Sequence, residues 1–98
     1  LNHFKLVAKI TQKSVLRYTP TGLPAIDLVL EHESKVADAG VTRDVGLVLK
    51  ALAFGTNAEI LLKTAVGQMG EFSGFLNNAR GGRGTSFHIQ NFHPINEH

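Results

Sequence analysis

The stretch from Leu23 to Ser34, "LPAIDLVLEHES", admits few conformations. Ile26, Leu28 and Leu30 alternate with Ala25, Asp27, Val29 and Glu31, so the large apolar side chains recur at every second residue. A strand points successive side chains to opposite faces, whereas a helix would spread this pattern around its circumference. The segment is therefore a half-buried strand. Thr19-Pro20-Thr21-Gly22, just ahead of it, has the residue types of a type I turn. Proline presets the backbone angle at the second position and glycine relaxes the fourth. Pro24 then opens the strand, where a missing N–H does least harm.

The same period governs "HFKLVAKIT", where Phe4, Leu6, Ala8 and Ile10 alternate with Lys5, Val7, Lys9 and Thr11. Gln12, Lys13 and Ser14 interrupt it, and Val15 to Thr19 resumes an extended pattern. One long bent strand or two short ones would satisfy both, forming a hairpin with the next strand. "SKVADAGVT", residues 34–42, is small and polar and reads as a surface loop. A third strand follows at about residues 43–54. Its apolar run also fits a helix by period, but the β-branched residues and Gly46 favour a strand. In "TNAEILLKTAVG", Ala58, Leu61, Leu62 and Ala65 make a helical stripe. Thr56 and Glu59 have capping-box spacing, and Gly67 suits the left-handed residue past a helix end.

"QMGEFSGFLNNA" returns to strand, with Gly70, Phe72, Gly74 and Leu76 on one face and Met69, Glu71, Ser73 and Phe75 on the other. Two glycines on one face imply sharp curvature or close backbone approach. "NNARGGRGTS" reads as a flexible loop and "FHIQNFHPI" as a last strand ending near Pro94. The expected architecture is all-β: a five-stranded OB-fold barrel with one short helix between strands 3 and 4, a single domain over residues 1–98. A split α+β sheet is the rival.

Composition narrows the function. The 98 residues are 43% hydrophobic and 18% charged, which describes a globular chain with one core. There is no cysteine, so thiolate metal sites and disulfides are excluded. No apolar run approaches the roughly 20 residues that span a bilayer, so no membrane role is expected. The net charge of +2 is mild, and a nucleic-acid role must rest on where the cations sit. His88, His93 and His98 are spaced by five, which alternates strand faces and makes a poor ligand set. No P-loop, GxSxG or HExxH motif occurs, and no cofactor or catalytic residue is expected.

"RYTPTGLPAIDLVLEHES" resembles the matching stretch of bacterial single-stranded-DNA-binding proteins: an Arg-Tyr, a glycine-bearing turn, then an alternating strand with a Ser-Glu-Ser-like end. "LEHES" followed by "ADAG" and an arginine, "VGQMGEFSGFL" and "HIQNF" are closer still to the primosomal replication protein N family. The resemblance runs over roughly residues 3 to 95. It implies a homodimer of OB-folds, cytoplasmic and located at replication forks. Such a protein binds single-stranded DNA, stabilises the restart helicase PriA and helps recruit DnaT where that protein is present, with no catalysis of its own.

A single-strand binder needs cations along the phosphates and flat side chains under the bases. OB-folds supply both from strands 2 and 3 and from the loops after strands 1 and 4. The resemblance implies that Arg17 and Thr19 lie near DNA. Arg80 and Arg83 sit in "RGGRG", where glycines let the chain follow a backbone and arginine forks bind phosphate. Arg43 and Lys50 are further candidate cations. Tyr18 is either a stacking platform or a core aromatic with its hydroxyl at the rim, and Phe75 either a platform or a dimer contact. The chain departs from the family pattern by placing Val41 and Gly46 at expected aromatic positions, and it has no tryptophan. Two other functions fit: an OB-fold interaction module whose DNA face has weakened, and a general single-strand coating protein.

Overall fold

The structure is a computed structural model that describes residues 1–96, the side chain of Arg80 excepted. Its elements are β1 (Phe4–Lys13), β2 (Arg17–Tyr18), β3 (Pro24–Asp38), β4 (Val41–Phe54), α1 (Thr56–Leu62), β5 (Met69–Asn78) and β6 (Thr85–Ile95). The strands form one sheet in the order β1-β5-β6-β4-β3-β2, and a β1–β3 pairing closes it into a barrel. With β1 and β2 as the two parts of the first strand, this is the five-stranded OB-fold, with α1 between its third and fourth strands. All pairings are antiparallel except β4–β6, where Ala51 and Leu52 face Phe87 and His88.

The apolar alternation selects the interior. Ala8 and Ile10 of β1, Ile26, Leu28 and Leu30 of β3, Ala51 and Ala53 of β4, Phe72 of β5, and Phe87 and Ile89 of β6 pack together. Ala58 and Leu61 of α1 join them. Burying each Ile, Leu or Phe among them stabilises the fold by about 1.5–3 kcal/mol. The Thr19–Gly22 turn closes as expected, with the Gly22 N–H donating to the Thr19 carbonyl at 2.8 Å.

Several expectations from the sequence need correction. Gln12 and Lys13 do not interrupt β1. The register slips between Ile10 and Gln12, a bulge that bends the strand as it passes from β5 to β3. Residues 34–42 are not a loop. β3 continues to Asp38 and pairs with β4 from Val41, around an Ala39-Gly40 turn with φ of 52° and 78°. Positive φ at both central residues gives the turn twist that matches the strands. Lys35–Asp44 (3.0 Å) and Arg43–Asp38 (2.9 Å) lace the polar arm across its two strands.

The helix also differs. Gly55, at φ 65°, is the N-cap and Thr56 is already helical, so the Thr56–Glu59 capping box does not form. Only glycine takes that backbone geometry readily, and it lets the chain turn from β4 straight into α1. The helix ends at Leu62, which leaves Leu62 and Ala65 exposed rather than on a buried stripe. Lys13 caps the end by donating to the carbonyls of Leu61 and Leu62 at 3.2 and 2.9 Å. Gly67 is left-handed but lies beyond the helix, where its N–H donates to the Ile10 carbonyl.

The two strand glycines serve close approach. A Cβ on Gly74 would overlap the His88 carbonyl, at the bulge between Ser73 and Gly74. A Cβ on Gly70 would overlap the ring of Phe92, a side chain rather than backbone, and crowd the His93 carbonyl. Gly74→Ala should therefore destabilise the fold by about 3 kcal/mol or more, and Gly70→Ala by about 1–2 kcal/mol. Urea denaturation of the two variants checks this order.

Candidate nucleic-acid interface

Barrel closure leaves a groove on the outer face of β4. One wall is the segment from Arg17 to Pro20, and the other is the end of β5 with the loop leading into β6. Two recesses of about 460 and 420 Å³ make up the groove and share Leu52. The first is lined by aromatic and amide side chains, among them Tyr18, Phe54, Asn77, Asn78 and His88. The second is lined by Lys13, Asp27, Lys50, Ala79 and Ser86, among others.

The floor of the first recess is aromatic. His88 stacks on Phe75 with centroids 4.7 Å apart and an interplanar angle of 23°. The Phe54 ring centroid lies 5.9 Å from that of the same imidazole, tilted by 46°. Burial pushes the His88 pKa down from 6.5, so the imidazole is a neutral, flat group at neutral pH. Tyr18 stands on the rim at 67% exposure, which excludes the core position and leaves its ring free to stack. Phe75 is partly buried and already stacked.

The candidate cations separate into distinct groups. The Arg17 guanidinium donates twice to the Asp27 carboxylate, from Nε to Oδ2 at 3.0 Å and from Nη2 to Oδ1 at 3.1 Å. That hydrogen bonding raises the Arg17 pKa further. Lys50 is exposed in the second recess and makes no ion pair among the described residues. Arg83 is exposed in the loop between β5 and β6 and is likewise unpaired among the described residues. Arg80 starts a single 3-10 turn, residues 80–82, in that loop. Arg43 is paired with Asp38 near the tip of the β3–β4 arm, nine residues and roughly 30 Å along β4 from Leu52, outside the groove. The Thr19 hydroxyl accepts from the Leu23 N–H at 3.1 Å and contacts the Thr21 hydroxyl at 3.1 Å, so it is engaged within its own turn.

Val41 and Gly46 lie on the arm, which carries no aromatic side chain between Glu33 and Lys50. The aromatic side chain of β4, Phe54, lies at the strand's other end. Phe54 and His88 were not singled out from the sequence as site residues, because only the β4–β6 pairing brings them together. Their signal was parity: His88 sits between the buried Phe87 and Ile89 and must face outward. Among the described residues no three His, Asp or Glu side chains gather as a metal set; His98 lies outside those residues.

Residues 2–91 match the model of a family described as another single-strand binding protein family. Replication restart protein PriB of Bordetella pertussis is 41% identical over 80 residues, covering 82% of this chain and 75% of that protein. PriB of Nitrosomonas europaea is 31% identical over 75 residues, covering 76% and 69%. The solved structure of PriB from Ralstonia solanacearum superposes with a TM-score of 0.89 at 31% identity, covering 98% of this chain and 99% of that one. The single-stranded DNA binding protein of Thermus aquaticus shares the fold, with a TM-score of 0.77 at 23% identity over 98% of this chain and 50% of that one.

The depressed His88 pKa has a consequence for stability. Below pH 6.5 the unfolded chain takes up a proton at this histidine that the folded chain refuses. Stability from this group is therefore complete above pH 6.5 and is lost as pH falls from there through the lowered folded value. His88→Gln should remove that part of the pH dependence. Urea denaturation midpoints at about pH 7.5 and 5.5, compared between the two proteins, check it.

Proposed function

Because the chain belongs to the PriB family of replication restart proteins, within the single-strand-binding superfamily, we propose that it is a non-enzymatic replication-restart factor that binds single-stranded DNA in the groove over β4. The observation that carries this reading is an aromatic floor beside Lys50, with Arg83 in the bordering loop, two cations that are unpaired among the described residues. Bases stack in the recess of Tyr18, Phe54 and His88. Phosphates run along Lys50 and the Arg80–Arg83 loop. The neutral amides of Asn77 and Asn78 border the bases without adding charge.

The family resemblance extends the proposal to partners: a homodimer that stabilises PriA on DNA and passes the fork to DnaT where present. Open strand edges support such contacts. Phe4 to Ala8 of β1 pair with β5 on one side only; the His32 imidazole engages the Val7 carbonyl at 2.6 Å, and Phe4 and Val7 are exposed. Such edges pair with other chains unless they are covered.

A second reading, the protein-docking module, draws on the arm. Its Lys35, Asp38, Arg43 and Asp44 are paired with one another, while Val36, Val41 and Leu47 are exposed. That surface suits a protein better than a phosphate backbone. A coating protein is less well supported, because such proteins need an extended DNA path and the arm offers few free cations.

Fluorescence anisotropy with an oligo(dT) of about 15–30 nucleotides separates these functions. Binding should weaken steeply with salt. Arg80→Ala/Arg83→Ala should flatten the slope of log affinity against log salt by roughly 0.7 for each contact removed. Tyr18→Ala should weaken binding by about 1–3 kcal/mol and leave the slope unchanged. Salt-insensitive or absent binding by a folded protein would favour the docking module.

A further inference from the structure

Arg17 and Asp27 meet where the two recesses join. Arg17 lines the aromatic recess and Asp27 the cationic one. Their side chains are 29% and 47% exposed, so the pair faces the groove rather than the core. Guanidinium binds carboxylate and phosphate through the same two parallel N–H donors. Asp27 already occupies such a donor pair, Nε and Nη2.

The two ends of the pair differ in mobility. Ser14 holds the Asp27 backbone through both of its polar groups: the Asp27 N–H donates to the Ser14 hydroxyl at 3.0 Å, and the Asp27 carbonyl accepts from the Ser14 N–H at 2.9 Å. Its short side chain cannot leave the groove. Arg17 has a long side chain and can swing away once a competing anion arrives.

We propose that Asp27 limits the affinity of this groove for single-stranded DNA by occupying the phosphate-binding fork of Arg17. The inference rests on the DNA-binding reading above. In the free protein the pair is closed and its two charges cancel. A strand that binds there must displace the carboxylate from the fork, and the carboxylate stays close enough to repel its phosphates. Lys50 and Arg83 face no such competitor among the described residues. The rival role for Asp27 is positioning: it could hold Arg17 so that the remaining Nη1 donor reaches a phosphate.

The two roles predict opposite effects of Asp27→Asn, which keeps the shape and removes the charge. Anisotropy with oligo(dT) is measured across a salt series for wild type, Asp27→Asn, Arg17→Ala and the double variant, with thermal melts to confirm folding. The latch predicts that Asp27→Asn binds about tenfold tighter at low salt, as one added charge-assisted contact would give. It also predicts a slope steeper by about 0.7, and a gain reduced to the share that relief of repulsion supplies when Arg17→Ala is added. Binding seen only with Asp27→Asn supports the latch as well. If wild type binds and folded Asp27→Asn binds equally or more weakly, the latch is wrong and the DNA-binding reading stands. If neither protein binds, the DNA-binding reading fails and the latch fails with it.

Discussion

The barrel depends on β1 pairing with two strands in succession. Phe4 to Lys9 pair with β5, and Lys9 to Lys13 pair with β3. The bulge after Ile10 changes the strand's direction between the two ladders. Without that bend the sheet would remain open between β1 and β3, and the interior residues would have no opposite wall. The same segment anchors its surroundings. The Ile10 carbonyl accepts from the Gly67 N–H, the Ile10 N–H donates to Gln68, and Lys13 caps α1. Closure therefore fixes the helix as well as the strands.

Closure also makes the groove. The chain leaves β1, crosses Val15 and Leu16, and returns as β2 to form one wall, while the loop between β5 and β6 forms the other. β4 lies between them with Lys50, Leu52 and Phe54 on its outer side, residues two apart and so on one face. The cation precedes the aromatic along this strand. That order divides the groove into a recess around Lys50 and an aromatic recess, the two chemistries a single strand requires.

The barrel was legible in the sequence because its interior is written in period two. Ile26, Leu28 and Leu30 mark β3, and Leu6, Ala8 and Ile10 mark β1, in an order only a few folds share. The arm was not legible. Ser34 to Thr42 has loop composition, and its strand character comes from pairing across the sheet and from the Ala39-Gly40 turn. The false capping box has a similar cause: Thr56 has the right spacing from Glu59, but Gly55 begins the helix one residue earlier. In the site, Tyr18, Lys50 and Arg83 could be proposed from residue type and position, and Arg17 from the family resemblance. Phe54, Asn78 and His88 come from three strands whose adjacency is a property of the sheet. Asp27 reads as an ordinary outward acid in an alternating strand, and only its two contacts with Arg17 give it significance.

The central claim is that bases stack against the rim and floor of the first recess. Tyr18 is the only tyrosine and the chain has no tryptophan, so its intrinsic emission reports from that rim alone. The most direct measurement is a titration of tyrosine fluorescence with oligo(dT), run beside anisotropy on the same samples. Stacking on Tyr18 predicts strong quenching that saturates together with the anisotropy change. Full binding by anisotropy with unchanged tyrosine emission would contradict the claim and place the strand elsewhere on the barrel.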